Sequence, residues 1–205
     1  MSYEILISFI IASFALAFSP GPDNIFVLTQ SIVNGKKYGL ATVFGLITGC
    51  LVHTTLVAFG ISAMIKANEN LFFSIKLLGA IYLIYLAYKV FVSDVTISLS
   101  LAINEKKTTK QLFKQGFVMN VLNPKVSIFF LAFFPGFLFS DVLSTIAQFY
   151  ILGLLFMVVS LLVFSVIAIL AGTISREIKQ NSNIGVYLKW MQIIVFVAIA
   201  IFILV

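Results

Sequence analysis

From Ile5 to Ile32 the chain is almost continuously apolar, and in the middle of that run stands Ser19-Pro20-Gly21-Pro22-Asp23. Proline lacks an N–H and clashes with the preceding turn, so two prolines flanking a glycine cannot continue a helix. An apolar run of this length crosses a bilayer, whose hydrocarbon core is about 30 Å thick. Backbone groups freed at that depth find no bulk water and must be satisfied by protein or in a hydrated cavity. A break that closes on an acid therefore turns away from lipid, and marks a binding site between helices.

Five more apolar segments follow, so that six helices are expected: Ile5–Ile32, Tyr38–Ile65, Leu71–Val92, Phe113–Phe139, Val142–Ser175 and Ile184–Val205. Of 205 residues, 61% are hydrophobic and 10% charged, against about 25% charged in a soluble domain. The expected fold is all-α, a polytopic protein of the lipid bilayer forming one transmembrane domain over residues 1–205. The first basic residue is Lys36, unlike the positive leading region of a cleaved secretory signal, so the first helix is expected to be retained. The single Cys50 excludes disulfides, paired-thiol redox chemistry and thiolate metal clusters.

The net charge of +6 does not imply a nucleic-acid partner, because the basic residues alternate with apolar spans. They fit the positive-inside rule instead. Lys36 and Lys37 follow helix one, Lys106, Lys107, Lys110 and Lys114 follow helix three, and Arg176 and Lys179 follow helix five. The opposite side has Lys66, with Lys76 nearby, and the turn around Asp141 has no basic residue. The loops around Lys36, Lys107 and Arg176 are thus expected in the cytoplasm, and both termini outside.

The long polar connection Ser93–Lys114, which includes Asp94 and Glu105, separates two three-helix halves, about 1–92 and 113–205, with a linker over about 93–112. Three is odd, so the halves are inverted, a plan common among secondary transporters with broken helices at the repeat interface. Helix one breaks before Asp23 and helix four at Asn123-Pro124-Lys125. At about 1.5 Å per residue, Asp23 lies about 20 Å from Lys36 and Lys125 about 17 Å from Lys114. An acid and a base, each directly after a proline, reach similar depth near the midplane.

Charges at that depth are costly and need partners or hydration. The plain alternative to a substrate site is a buried Asp23–Lys125 ion pair that locks two helices; such a pair can also open to receive a zwitterion. A helix restarting at Pro22 offers unpaired N–H groups to a carboxylate. Asn120 and Asn123 need partners in a bundle and are candidates to line a polar cavity. Ala41, Gly45 and Gly49 put small residues on one face of helix two, the pattern of close helix packing, with His53 on the same face. His53 either titrates near neutral pH, as a proton-coupling group alongside Asp23, or hydrogen-bonds within the bundle. Phe129, Phe130, Phe133 and Phe134 are expected to face lipid or pack the bundle. Tyr85 and Tyr88 read as interface anchors. One His and one Cys make no metal site. No phosphate-binding loop, zinc motif or nucleophile elbow occurs, so neither catalytic residues nor a cofactor are expected.

The chain resembles the LysE/RhtB amino-acid exporters of bacterial plasma membranes. The resemblance rests on Ser19–Asp23, the series Gly35, Gly39, Gly45, Gly49 and Gly60, and the block Lys76–Leu86. Helix four adds Gly116, Phe117, Asn120, Asn123-Pro124-Lys125, Phe129, Phe130 and Pro135. Two features depart from the family pattern: Gly136 where a polar residue is common, and the absence of glycine from Met191–Val205 in the last helix. The resemblance implies export of amino acids or related small metabolites, driven by the proton motive force. Pro20, Gly21, Pro22, Asp23, Asn120, Asn123, Pro124 and Lys125 are the candidate substrate-binding residues, with Lys125 and the helix end at Pro22 taking the carboxylate and Asp23 the ammonium. The rival readings are an efflux carrier for a metal ion or other small solute, a membrane enzyme or redox subunit, and a scaffold. A homodimer is compatible with the sequence.

Overall fold

The computed structural model describes residues 2–67, 69–93, 107–180 and 183–204. Most of the predicted linker, with Asp94, Glu105 and Lys106, lies outside them. The described residues form an all-α bundle. Helix α1 (Tyr3–Phe18) and helix α2 (Pro22–Asn34) meet at a bend of 58°. Helix α3 (Lys36–Leu56) runs through a π-helical turn, Val57–Ile61, into α4 (Ser62–Ala67), and α5 spans Glu69–Val92. In the second half, α6 (Thr109–Val121) and α7 (Pro124–Ile128) bend by 48°, and α7 continues through a π-helical turn and a 3-10 turn to Phe137. Helices α8 (Thr145–Ile169), α9 (Ala171–Gln180) and α10 (Asn183–Leu204) complete the chain.

Among the described residues, four helices are long and apolar enough to cross a membrane, and six spans result when each bent pair is counted as one. The exterior suits a lipid solvent: Ile11, Leu78, Leu162 and Ile194 are each more than 60% exposed. The two broken spans stand where the prolines require them. Pro22 and Pro124 each open a new helix, the position at which a missing N–H costs nothing. The α2–α3 corner turns at Gly35, whose φ of 97° disfavours any residue with a side chain.

Two boundaries differ from expectation. The predicted fifth span, Val142–Ser175, is two helices divided at Leu170, and α9 carries Arg176 and Glu177 away from the apolar α8. The predicted fourth span starts four residues early, at Thr109, because Thr108 and Gln111 form a reciprocal cap that satisfies two orphan N–H groups.

The small-residue face of α3 meets a matching face on α6. A methyl group on Gly45 would run into the Phe113 carbonyl, and one on Gly116 into the Thr42 carbonyl. The two backbones thus touch, and the next contact along the seam is Gly49 against the Asn120 side chain. This seam holds the end of α6, and with it the second break, against α3. At the end of the bundle shared by Ser2 and Phe139, whose N–H and C=O bond at 3.0 Å, the interior is aromatic. Phe9 of α1 packs edge-on against Phe134 and Phe137 at 5.0 and 5.2 Å, and Phe156 of α8 lies 5.3 and 5.1 Å from Phe129 and Phe130. Phe129, Phe130, Phe133 and Phe134 are therefore bundle packing, all fully buried or nearly so.

Candidate functional site

Ending α1 at Phe18 leaves its last carbonyls without intrahelical donors. Two side chains supply them. Lys125 Nζ donates to the Leu16 and Ser19 carbonyls at 3.2 and 3.0 Å, and Asn24 Nδ2 donates to Ala17 O at 2.8 Å. A cation at a helix C-terminus also sits favourably in the helix dipole. The same ammonium lies over the Phe196 ring, 5.4 Å from its centroid.

The second break is organised by Asn123. Its Oδ1 accepts from Lys125 N–H at 3.0 Å, capping α7, while its Nδ2 donates to Asp23 Oδ2 at 2.8 Å. The Asn123–Asp23 bond thus joins the two breaks directly. The direct Asp23–Lys125 ion pair, the plain alternative to a substrate site, does not form. Lys125 reaches past Asp23 to the donor-starved end of α1, and Asp23 is held by a neutral amide instead. Asp23 is 5% exposed, and its other oxygen, Oδ1, has no partner. A buried carboxylate oxygen left bare is costly unless something enters to meet it.

Asp23 also lines a cavity of about 20 Å³, together with Gly21 and Asn24 from the first break and Asn120, Asn123 and Lys125 from the second. Cys50 and Ser160 complete its polar wall. Ser160 Oγ, 1% exposed at residue level, also lacks a partner. Among the predicted site residues, Pro20, Pro22, Pro124 and His53 do not line this chamber. Pro22 and Pro124 shape it by starting helices. His53 lies on the α3 seam, with Nε2 3.1 Å from Asn120 O and its ring 5.4 Å from that of Phe130.

Sequence reasoning missed Asn24, Cys50 and Ser160. Asn24 directly follows Asp23, so adjacency to the break was a usable signal. Cys50 Sγ lies 3.6 Å from Asn120 Oδ1 and falls one residue after Gly49 on the packed face. Ser160 sits alone in an apolar helix, where nothing in its spacing singles it out. No group of three or more His, Cys, Asp or Glu able to hold a metal ion occurs among the described residues.

The arrangement presents a bare carboxylate oxygen, a hydroxyl and an ammonium that keeps one N–H beyond its two carbonyl bonds. Acceptor and donor charge in one small chamber complement a zwitterion.

The LysE type translocator family model matches residues 14–205, which includes both breaks. Among curated proteins, the homoserine/homoserine lactone efflux proteins of Salmonella typhimurium (strain LT2) and Salmonella typhi are each 32% identical over 179 residues, covering 87% of this chain and 86% of theirs. The leucine efflux protein of Enterobacter sp. (strain 638) is 26% identical over 178 residues, covering 87% of this chain and 84% of its own. No solved structure matches significantly. With the family model spanning both breaks, this multi-pass membrane chain belongs to the LysE type translocators.

Proposed function

We propose that the chain is a secondary-active exporter of amino acids or closely related small metabolites across the bacterial plasma membrane, with the zwitterion bound where the two broken helices meet. The observation that carries this reading is Asp23, buried with one carboxylate oxygen unpartnered, lining the same small cavity as Lys125. In the bound state Asp23 takes the ammonium, and Lys125 with the N-terminus of α2 takes the carboxylate. The relatives' names, homoserine and leucine efflux proteins, support the substrate class. Pro20, Gly21, Pro22 and Pro124 act by fixing the helix ends, and Asn120 and Asn123 by lining or bracing the chamber.

The proton motive force drives the cycle in this reading. Asp23 carries the proton, since its bare oxygen is available to it, and His53 is the second candidate in the same region. The two halves, about 1–92 and 113–205, act as inverted repeats that rock about the chamber. The loops around Lys36, Lys107 and Arg176 face the cytoplasm, and both termini face outward.

The test is export of labelled amino acids from loaded cells, with Asp23→Asn, Lys125→Met and the double variant matched for membrane level. Each single variant is expected to lose export at least tenfold, and the double variant to stay inactive because the zwitterion has lost both partners. Recovery of near-wild-type export by the double variant would show that the charges serve only each other's burial. Export that persists after the proton gradient is collapsed would remove the coupling assignment.

A further inference from the structure

An open groove of about 1010 Å³ runs along the outside of the bundle between α1–α2, α8–α9 and the facing ends of α5 and α10. Its long wall is one face of α8: Val159, Leu162, Val163, Val166, Ile167 and Leu170. At about 1.5 Å per residue that wall is about 17 Å long, close to one leaflet of a hydrocarbon core about 30 Å thick. Its deep end, Val159, is next to Ser160, which lines the small cavity at the breaks. The wall is open to lipid, with Phe14, Leu162 and Val166 each more than 50% exposed. Asn24, polar and at the deep end, has its amide nitrogen bonded to Ala17 O at 2.8 Å. The opposite end is polar. There α9 follows α8 after Leu170 and lines the groove with Ile174 and Ile178, one turn apart, while Arg176 between them is exposed and outside the lining. Alternation of this kind is the pattern of a helix lying in the membrane interface. Thr173, Glu177, Lys189 and Gln192 are the polar side chains that α9 and α10 bring to the groove. Glu177 is exposed and makes no ion pair among the described residues. Lys189 Nζ donates to Ser93 O at 2.8 Å, at the end of α5, and lies 5.9 Å from the Phe91 ring centroid, which leaves it N–H groups to spare.

We propose that this groove is the binding site of one phospholipid whose headgroup carries both a phosphate and a primary ammonium, the phosphatidylethanolamine type. An acyl chain lies along α8, the phosphate meets Lys189, and the ammonium meets Glu177. Thr173 and Gln192 supply neutral hydrogen bonds to the phosphate and the ester region behind it. The occupant follows from the groove's length and from its two charges. A wall one leaflet long, apolar up to a charged rim, matches an acyl chain below a headgroup. The rim holds one cation and one anion that do not pair with each other, so it complements a headgroup of both signs. A headgroup of net negative charge satisfies Lys189 but meets repulsion from Glu177. A choline headgroup brings Glu177 a cation with no N–H to donate, and so forgoes a charge-assisted hydrogen bond. The site is separate from the small cavity and does not depend on the export reading.

The experiment is titration of the purified full-length chain in detergent with phosphatidylethanolamine, phosphatidylglycerol and phosphatidylcholine of matched acyl chains, read by native mass spectrometry. Wild type is expected to bind one phosphatidylethanolamine about threefold or more tightly than either competitor, the size of a partly exposed charge pair. Glu177→Gln is expected to erase the preference over phosphatidylglycerol, and Glu177→Lys to reverse it. Leu162→Trp, at a position 62% exposed on the apolar wall, is expected to weaken all three lipids about equally by filling the space of the chain. Equal affinities in wild type, a preference for phosphatidylglycerol, or a preference unchanged in Glu177→Gln would overturn the proposal. Soluble phosphoethanolamine binding as tightly as the lipid would do so too, since the acyl chain would then contribute nothing. The wild-type ranking needs no variant, so a substitution that misfolds does not block the decision.

Discussion

Asn123 is held at both ends of its amide, and that makes it the residue on which the two breaks depend. Its oxygen caps α7 and its nitrogen holds Asp23. Asn123→Ala removes the cap, worth about 1 kcal/mol, and leaves a buried carboxylate with neither oxygen paired, a further loss of about 1–3 kcal/mol. Asn123→Ser keeps a capping hydroxyl and is too short to reach Asp23. We expect thermal unfolding in detergent to rank wild type above Asn123→Ser above Asn123→Ala; equal midpoints for the two variants would assign the whole effect to the carboxylate. The residues that sequence found here share one property: a polar or charged group beside a proline, deep in an apolar run. Asp23, Asn123 and Lys125 were legible for that reason. The partners they chose were not, because a lysine's reach lets it pass the nearest acid for carbonyls left bare by a helix end. Ser160 carried no signal, since a hydroxyl in a membrane helix ordinarily bonds back to its own backbone.

Between elements, the α3–α6 seam sets the position of the second break. Gly45→Leu would force the backbones apart, and overpacking of this kind costs about 1–3 kcal/mol even where the neighbours can shift; here the neighbour is the Phe113 carbonyl, which cannot. The expected result is loss of most membrane-inserted protein, read by immunoblot of the membrane fraction. Gly60 is the control, because a Cβ there meets nothing within 4 Å. Gly60→Ala is expected to be neutral or stabilising by about 0.5 kcal/mol. The seam was legible from Ala41, Gly45 and Gly49, which repeat at the spacing of one helix face. The division of α8 from α9 at Leu170 was not. No proline marks it, and the change from apolar to amphipathic falls within a run that hydropathy reads as continuous.

For the molecule as a whole, the charge bias of the loops predicts which end meets the cytoplasm. Single cysteines at Lys107 and Asp141, in a Cys50→Ala background, are expected to react oppositely with an impermeant thiol reagent added to intact cells: Asp141 labelled, Lys107 protected. Labelling at Lys107 would reverse the orientation. The number of spans and the places where two of them break were the most legible, because bilayer thickness fixes helix length and proline fixes the breaks. The aromatic end of the bundle was visible only as composition, and its arrangement has an electrical consequence. Rings from α1, the region after α7, and α8 close on one another with centroids 4.1–6.3 Å apart. Packed this closely, the rings leave little room for water or ions at that end of the bundle. If the chain exports as proposed, such a layer lets a cell hold many copies without short-circuiting the membrane voltage, and the rings must part for charge to cross.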